Sequence, residues 1–186
     1  GVLYKHRNLD GLWKALKILE KETELKPKDL KIRLIGDEGS LGLSSAIAMG
    51  VGDYIESTPR VPVDQALQIQ AEADILLLVT SGVDLPWSRA WATGKIGDYL
   101  GARRPILALV HPSGDAAQTV QSTKSGVVLH PDDANGIKQA IASYLDTHKR
   151  LGEIIYEPDM EVVSKYSWRN LGAQYAKLLS NITCSE

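Results

Sequence analysis

Residues 94–131, GKIGDYLGARRPILALVHPSGDAAQTVQSTKSGVVLHP, decide the fold class. Lys95 and Asp98 open a helix, which leads through Arg103-Arg104-Pro105 into the apolar run 106–110. A helix around 115–123 then separates that run from a second one, bounded by glycine, at 126–129. Short continuous apolar strands joined by helices are the pattern of a parallel sheet covered on both faces.

The same alternation extends outward in both directions. Residues 1–4 read as a strand, and a helix follows over 9–22 with Leu12, Leu16 and Leu19 on one stripe. A strand is expected over 28–36, a turn at 39–42 opening a small-residue helix over 44–49, and a short strand over 53–57. Pro62 suits the first turn of a helix over 63–72, which runs into the apolar segment 73–79, the expected middle of the sheet. Residues 81–93 form a loop after that central strand. Toward the C-terminus come a helix over 132–148, a connector over 152–158, and a last amphipathic helix over 166–179 with Ser167 as N-cap. The fold class is therefore α/β, a doubly wound parallel sheet of Rossmann type, whose ligands bind outside the carboxyl ends of the strands. With 186 residues the chain reads as a single domain, a core over 1–163 and a C-terminal helix over 164–183.

Composition narrows the partners. The formal net charge of −2 disfavours nucleic acid and confines any phosphate recognition to local cations. The single Cys184 excludes an internal disulfide framework and any multi-cysteine zinc site, which fits a reducing, cytoplasmic setting. No apolar run approaches the roughly 20 residues that span a bilayer. His6, His111, His130 and His148 are scattered without metal-ligand spacing, so neither a metal nor a cofactor is expected. Ser113, His111 and Asp115 make a triad on paper, yet the Gly-x-Ser-x-Gly elbow is absent.

The chemistry-bearing residues cluster where strands give way to helices. Gly94 and Lys95, at the start of a helix, combine free N–H groups with a fixed cation, which suits a diphosphate. Asp98 lies one turn on, either accepting both hydroxyls of a ribose or pairing with Lys95. Gly36-Asp37-Glu38-Gly39 is a glycine-rich turn without the spacing of the dinucleotide fingerprint, and its acids would repel a phosphate. Trp87 and Trp91 read as loop anchors.

Taken with GVLYKHRNLDGLWKALKIL at 1–19, this segment resembles the C-terminal, nucleotide-sugar-binding half of a GT-B glycosyltransferase. The likeness is to the retaining family 4, or group 1, enzymes, which include sucrose and glycogen synthases and bacterial mannosyltransferases. The resemblance implies a domain that binds a nucleotide-diphosphate sugar for transfer to a carbohydrate or lipid-linked acceptor, with no metal. It implies Arg7, Gly94 and Lys95 at the diphosphate, Asp98 at the ribose, and Arg60 and Val61 in the loop that reads the base. The sequence departs from the family at two places. Val2 stands where a Gly-Arg pair would supply a second cation, and Ala90 stands at the first of two acids with seven residues between them. Arg7 offsets the first loss through bidentate contact, and Asp84 is the candidate to replace the acid at the donor sugar. The resemblance also implies a separate N-terminal acceptor-binding domain, through which any membrane-surface association would run. Two alternatives stand beside this reading: a non-catalytic, degenerate GT-B-like binding module, and half of a nucleotide-sugar 2-epimerase.

Overall fold

The computed structural model describes residues 9–36, 39–80, 88–90 and 93–183. The expected strand at 1–4, with Val2 and Arg7, lies outside them, as do Asp37, Glu38, Asp84, Trp87, Trp91 and Cys184. Five strands are described: β1 (Ile32–Ile35), β2 (Ile55–Thr58), β3 (Leu76–Val79), β4 (Ile106–Leu109) and β5 (Gly126–Leu129). All pairings among them are parallel, in two ladders: β1 with β2, and β3 with β4 with β5. The helices are α1 (Asp10–Thr23), α2 (Gly39–Ala48), α3 (Val63–Glu72), α4 (Lys95–Ala102), α5 (Asp115–Ser122), α6 (Ala134–Leu151), α7 (Met160–Ser164) and α8 (Trp168–Thr183). Parallel strands require such crossovers, and here helices flank the sheets. The chain is α/β, with parallel strands flanked by helices in a Rossmann-like arrangement.

Two apolar clusters hold the layers together. On one face α1 buries Leu12, Trp13, Leu16 and Leu19 in a cluster that includes Ile137 and Ile141 of α6 and Leu107 and Leu109 of β4. Leu12, Leu16 and Leu19 are the stripe that the sequence periodicity marks out, each worth about 1.5–3 kcal/mol of transfer free energy. On the other face α4 and α5 contribute Leu100, Ala116, Ala117 and Val120 against Leu78, Ile106 and Ala108. Residues of β4 reach both clusters, which is why all four of its positions are buried and its sequence shows no alternation.

Several expected boundaries move, each for a local reason. The strand over 28–36 starts only at Ile32, because Asp29 closes a turn: its Oδ2 accepts from Lys26 N–H at 3.0 Å and its own N–H donates to Lys26 O at 2.9 Å. The strand over 53–57 begins at Ile55, since Gly52–Tyr54 is a 3-10 turn pinned by the Tyr54 hydroxyl donating to Leu25 O at 2.7 Å. Helix α2 begins at Gly39, ahead of the expected 44. Helix α7 was not foreseen within the segment before the last helix; Asp159 caps it by accepting from Val162 N–H at 3.1 Å. Ser167 caps α8 as expected, accepting from Asn170 N–H at 3.3 Å.

The approach of α1 to the sheet depends on one glycine. A Cβ at Gly11 would overlap the Pro131 carbonyl just beyond β5, and the obstruction is backbone. Gly11→Ala is therefore expected to cost about 1–3 kcal/mol through forced displacement of α1. Urea denaturation checks it; an unchanged midpoint would contradict the close packing.

Candidate functional site

The order of the strands locates a site before any side chain is considered. From β1 the chain steps through α2 to β2, outward on one side; from β3 it steps through β4 to β5, outward on the other. Residues of both β1 and β3 line one cavity, so the region between the two ladders is the candidate for a topological switch point. In open α/β sheets ligands bind there, outside the carboxyl ends of the strands.

A cavity of about 580 Å³ occupies the same region. Its walls include Ile32, Leu34, Leu76, Leu77 and Val79, and it extends to Leu9 and Leu12 of α1. Lys95 and Tyr99, on α4, also line it. The interior is dominated by aliphatic strand residues, so it is a slot within the sheet rather than a diphosphate cleft.

Sequence-predicted residues fall around the carboxyl edge of the strands. Gly36, directly after β1, adopts φ 139°, a backbone geometry open to glycine and rarely to other residues, so the turn that ends this strand requires it. Arg60 and Val61 follow β2, Arg60 exposed and Val61 half-buried. Gly94 is the N-cap of α4, and a Cβ there would meet nothing within 4 Å among the described residues. Lys95 begins α4 half-buried, with its N–H 3.4 Å from Thr93 Oγ1. Asp98 is exposed one turn later. Gly94, Lys95 and Asp98 thus share the start of one helix at the switch point, and Arg60 and Val61 lie on the loop after a neighbouring strand. Ala90 ends a 3-10 turn, Ser88–Ala90, whose backbone approaches Gly114. Arg7 and Asp84 lie outside the described residues.

Tyr99 is the lining residue that sequence reasoning passed over. Its hydroxyl donates to Leu77 O of β3 at 3.2 Å. Burial, and secondarily the negative charge of Asp98, push its ionisation up to about 12. Because the folded-state value lies above the ordinary 10, the phenol's contribution to stability is fully present below pH 10 and is lost as pH rises through about 12. Tyr54, Tyr144 and Tyr156 are raised too, mainly by burial, so alkaline destabilisation is shared. Tyr99→Phe is expected to flatten the fall in stability between pH 10 and about 12, read by urea denaturation at stepped pH. An identical slope in the variant would remove Tyr99 from this account.

A second polar group sits after β4. His111 Nδ1 lies 3.1 Å from Ser113 N–H, and its Nε2 lies 3.3 Å from Arg89 Nε. Both neighbours only donate, and a neutral imidazole has one acceptor nitrogen, so one of the two contacts is a hydrogen bond in any given tautomer. With donors at both nitrogens, His111 is not arranged as a base toward the Ser113 hydroxyl, and the paper triad does not assemble. His130 Nδ1 lies 3.7 Å from Asp132 after β5, with both side chains partly exposed. Thr80, after β3, is buried, and its hydroxyl has no hydrogen-bond partner among the described residues. Among those residues no group of three His, Cys, Asp or Glu side chains could hold a metal ion, and no helix is long and apolar enough to cross a membrane.

No family model matches the sequence, and no curated protein does. Among solved structures, the chain is similar to the pneumococcal O-GlcNAc transferase GtfA in complex with UDP and GlcNAc, with a TM-score of 0.61 and 18% identity. The superposition covers 97% of this chain and 34% of that one, so the chain spans about a third of the length of the glycosyltransferase it matches. At this identity the likeness is one of fold.

Proposed function

We propose that this chain is the donor-binding half of a glycosyltransferase, holding a nucleotide-diphosphate sugar for transfer to a carbohydrate or lipid-linked acceptor. The observation that carries the reading is Lys95 at the first turn of α4, beside the switch point of a sheet whose fold matches a transferase solved with UDP. A helix N-terminus with a fixed cation attracts the two phosphates. In this reading Gly94 admits the diphosphate close to the backbone, Asp98 accepts from the ribose hydroxyls, and Arg60 and Val61 frame the base. Arg7 adds a second phosphate contact and Asp84 meets the donor sugar. The site works without a metal, and the acceptor is held by a separate domain of a longer, cytoplasmic protein of polysaccharide biosynthesis.

Calorimetric titration with UDP, GDP and ADP and with the corresponding sugars tests this reading. Lys95→Ala is expected to weaken the preferred nucleoside diphosphate by about 1.5–3 kcal/mol, roughly ten- to more than a hundredfold, while the parent nucleoside changes little. Asp98→Asn is expected to weaken ribonucleotides and to spare their 2′,3′-dideoxy analogues. Equal affinity for all ligands in wild type and both variants would sink the assignment.

A further inference from the structure

Two N–H donors face each other where the 3-10 turn Ser88–Ala90 meets the turn after β4. The meeting is built into the backbone: a Cβ on Gly114 would lie 3.1 Å from Arg89 O, 3.3 Å from Arg89 Cα and 3.2 Å from His111 O, so the buried Gly114 is what lets the two segments sit this close. Gly114 N–H donates to His111 O at 2.9 Å, which closes the turn 111–114 and fixes the direction of the Ser113 N–H. That N–H lies 3.1 Å from His111 Nδ1. A backbone donor held in a turn cannot rotate away, so in the neutral ring Nδ1 is the bare nitrogen and the proton sits on Nε2. Arg89 Nε, which only donates, lies 3.3 Å from that same Nε2. The Arg89 side chain is exposed and permanently charged. Among the described residues no carboxylate forms an ion pair with it, Asp115 at the start of α5 included. Two donors, one of them cationic, therefore converge on a place that calls for an acceptor oxygen.

We propose that Arg89 and His111 together receive a carboxylate carried by the donor sugar. In the donor-binding reading, on which this rests, the preferred donor is then a nucleotide-linked uronic acid. A carboxylate offers two oxygens to the two convergent donors, and the bond from Arg89 is charge-assisted. The hydroxymethyl group that a neutral hexose carries in the same position has one oxygen and no charge to meet the guanidinium. Ala90, beside Arg89, adds no acceptor that would compete for it. The phosphates of the donor have their own place at the first turn of α4, where Gly94 and Lys95 stand. Arg89 precedes Lys95 by six residues, a stretch of at most about 20 Å, so one extended ligand reaches both.

Calorimetric titration of the full chain with UDP-glucuronic acid against UDP-glucose, and with GDP-mannuronic acid against GDP-mannose, tests the proposal, since each pair differs by a carboxylate in place of a hydroxymethyl group. The acid is expected to bind about tenfold or more tighter than its neutral counterpart. Arg89→Gln is expected to erase that preference and to leave UDP, which carries no sugar, as it was. In the free chain the nitrogen shifts of the His111 ring are expected to show Nδ1 bare and Nε2 protonated, and free glucuronate, unlike glucose, is expected to move the Arg89 Nε–H signal. Equal affinity within a pair that binds, or a ring proton on Nδ1, would overturn the proposal and leave the donor-binding reading in place. A response to glucuronate without binding of any nucleotide would sink that reading while the carboxylate site stood. An Arg89 response to inorganic phosphate as large as that to glucuronate, or no response to either, would overturn the carboxylate site.

Discussion

Incubated with a nucleotide-sugar donor and a panel of sugar acceptors, this chain is expected to bind the donor and to form no more glycoside than buffer. Transfer requires the acceptor hydroxyl to be held against the anomeric carbon, and positioning of that kind lowers a barrier by about 7–11 kcal/mol. The chain corresponds to about a third of the length of the glycosyltransferase it resembles in fold. In the proposed function its loops at the carboxyl edge supply one wall of the cleft. Product analysis by mass spectrometry checks the outcome, and acceptor-dependent transfer by these residues alone would show a complete enzyme where half of one is proposed. A donor bound without transfer would also fit a non-catalytic module, which activity measured with the proposed acceptor domain present distinguishes from the main reading.

Trp13→Ala is expected to be the most damaging core substitution, at about 3–5 kcal/mol. The indole is fully buried, in the cluster that includes Leu107, Leu109, Ile137 and Ile141, and its Nε1 donates to Ser45 Oγ of α2 at 2.8 Å. Truncation leaves a large cavity and removes that hydroxyl's donor. For a domain with a stability in the usual range of about 5–15 kcal/mol, the loss takes away a large share. Trp13→Phe retains most of the volume and is expected to cost less than half as much, so denaturant midpoints ordered wild type, Phe, Ala check the packing. A midpoint for Ala within error of wild type would contradict the placement of α1.

Residue patterns that act locally were the legible ones. Helix α3 and strand β5 have the expected bounds because Pro62 at the N-cap and Gly126 after Ser125 punctuate the chain at the element itself. The apolar stripe of α1 was readable for the same reason. What could not be read depends on partners distant in sequence. The 3-10 turn that delays β2 is held by Tyr54 reaching Leu25, and α7 is tied to the body by Asp159 N–H donating to Thr123 O at 2.8 Å. At the site, Gly94-Lys95 stood out as glycine and cation at a strand-to-helix junction. Tyr99 did not, since its hydroxyl is defined by a carbonyl on β3, and neither did Arg89, whose neighbour His111 lies on a different loop.

Addition of UDP to isotopically labelled chain, followed by amide chemical shifts, tests the central claim most directly. The account predicts the largest perturbations at Gly36, Arg60, Thr80, Gly94, Lys95 and Asp98, all at or beside the carboxyl edge of the strands, with loss of the whole set in Lys95→Ala. Perturbations concentrated instead at the opposite edge, around Lys31, Ile75 and Ile106, or none at millimolar UDP or any other nucleoside diphosphate, would contradict it.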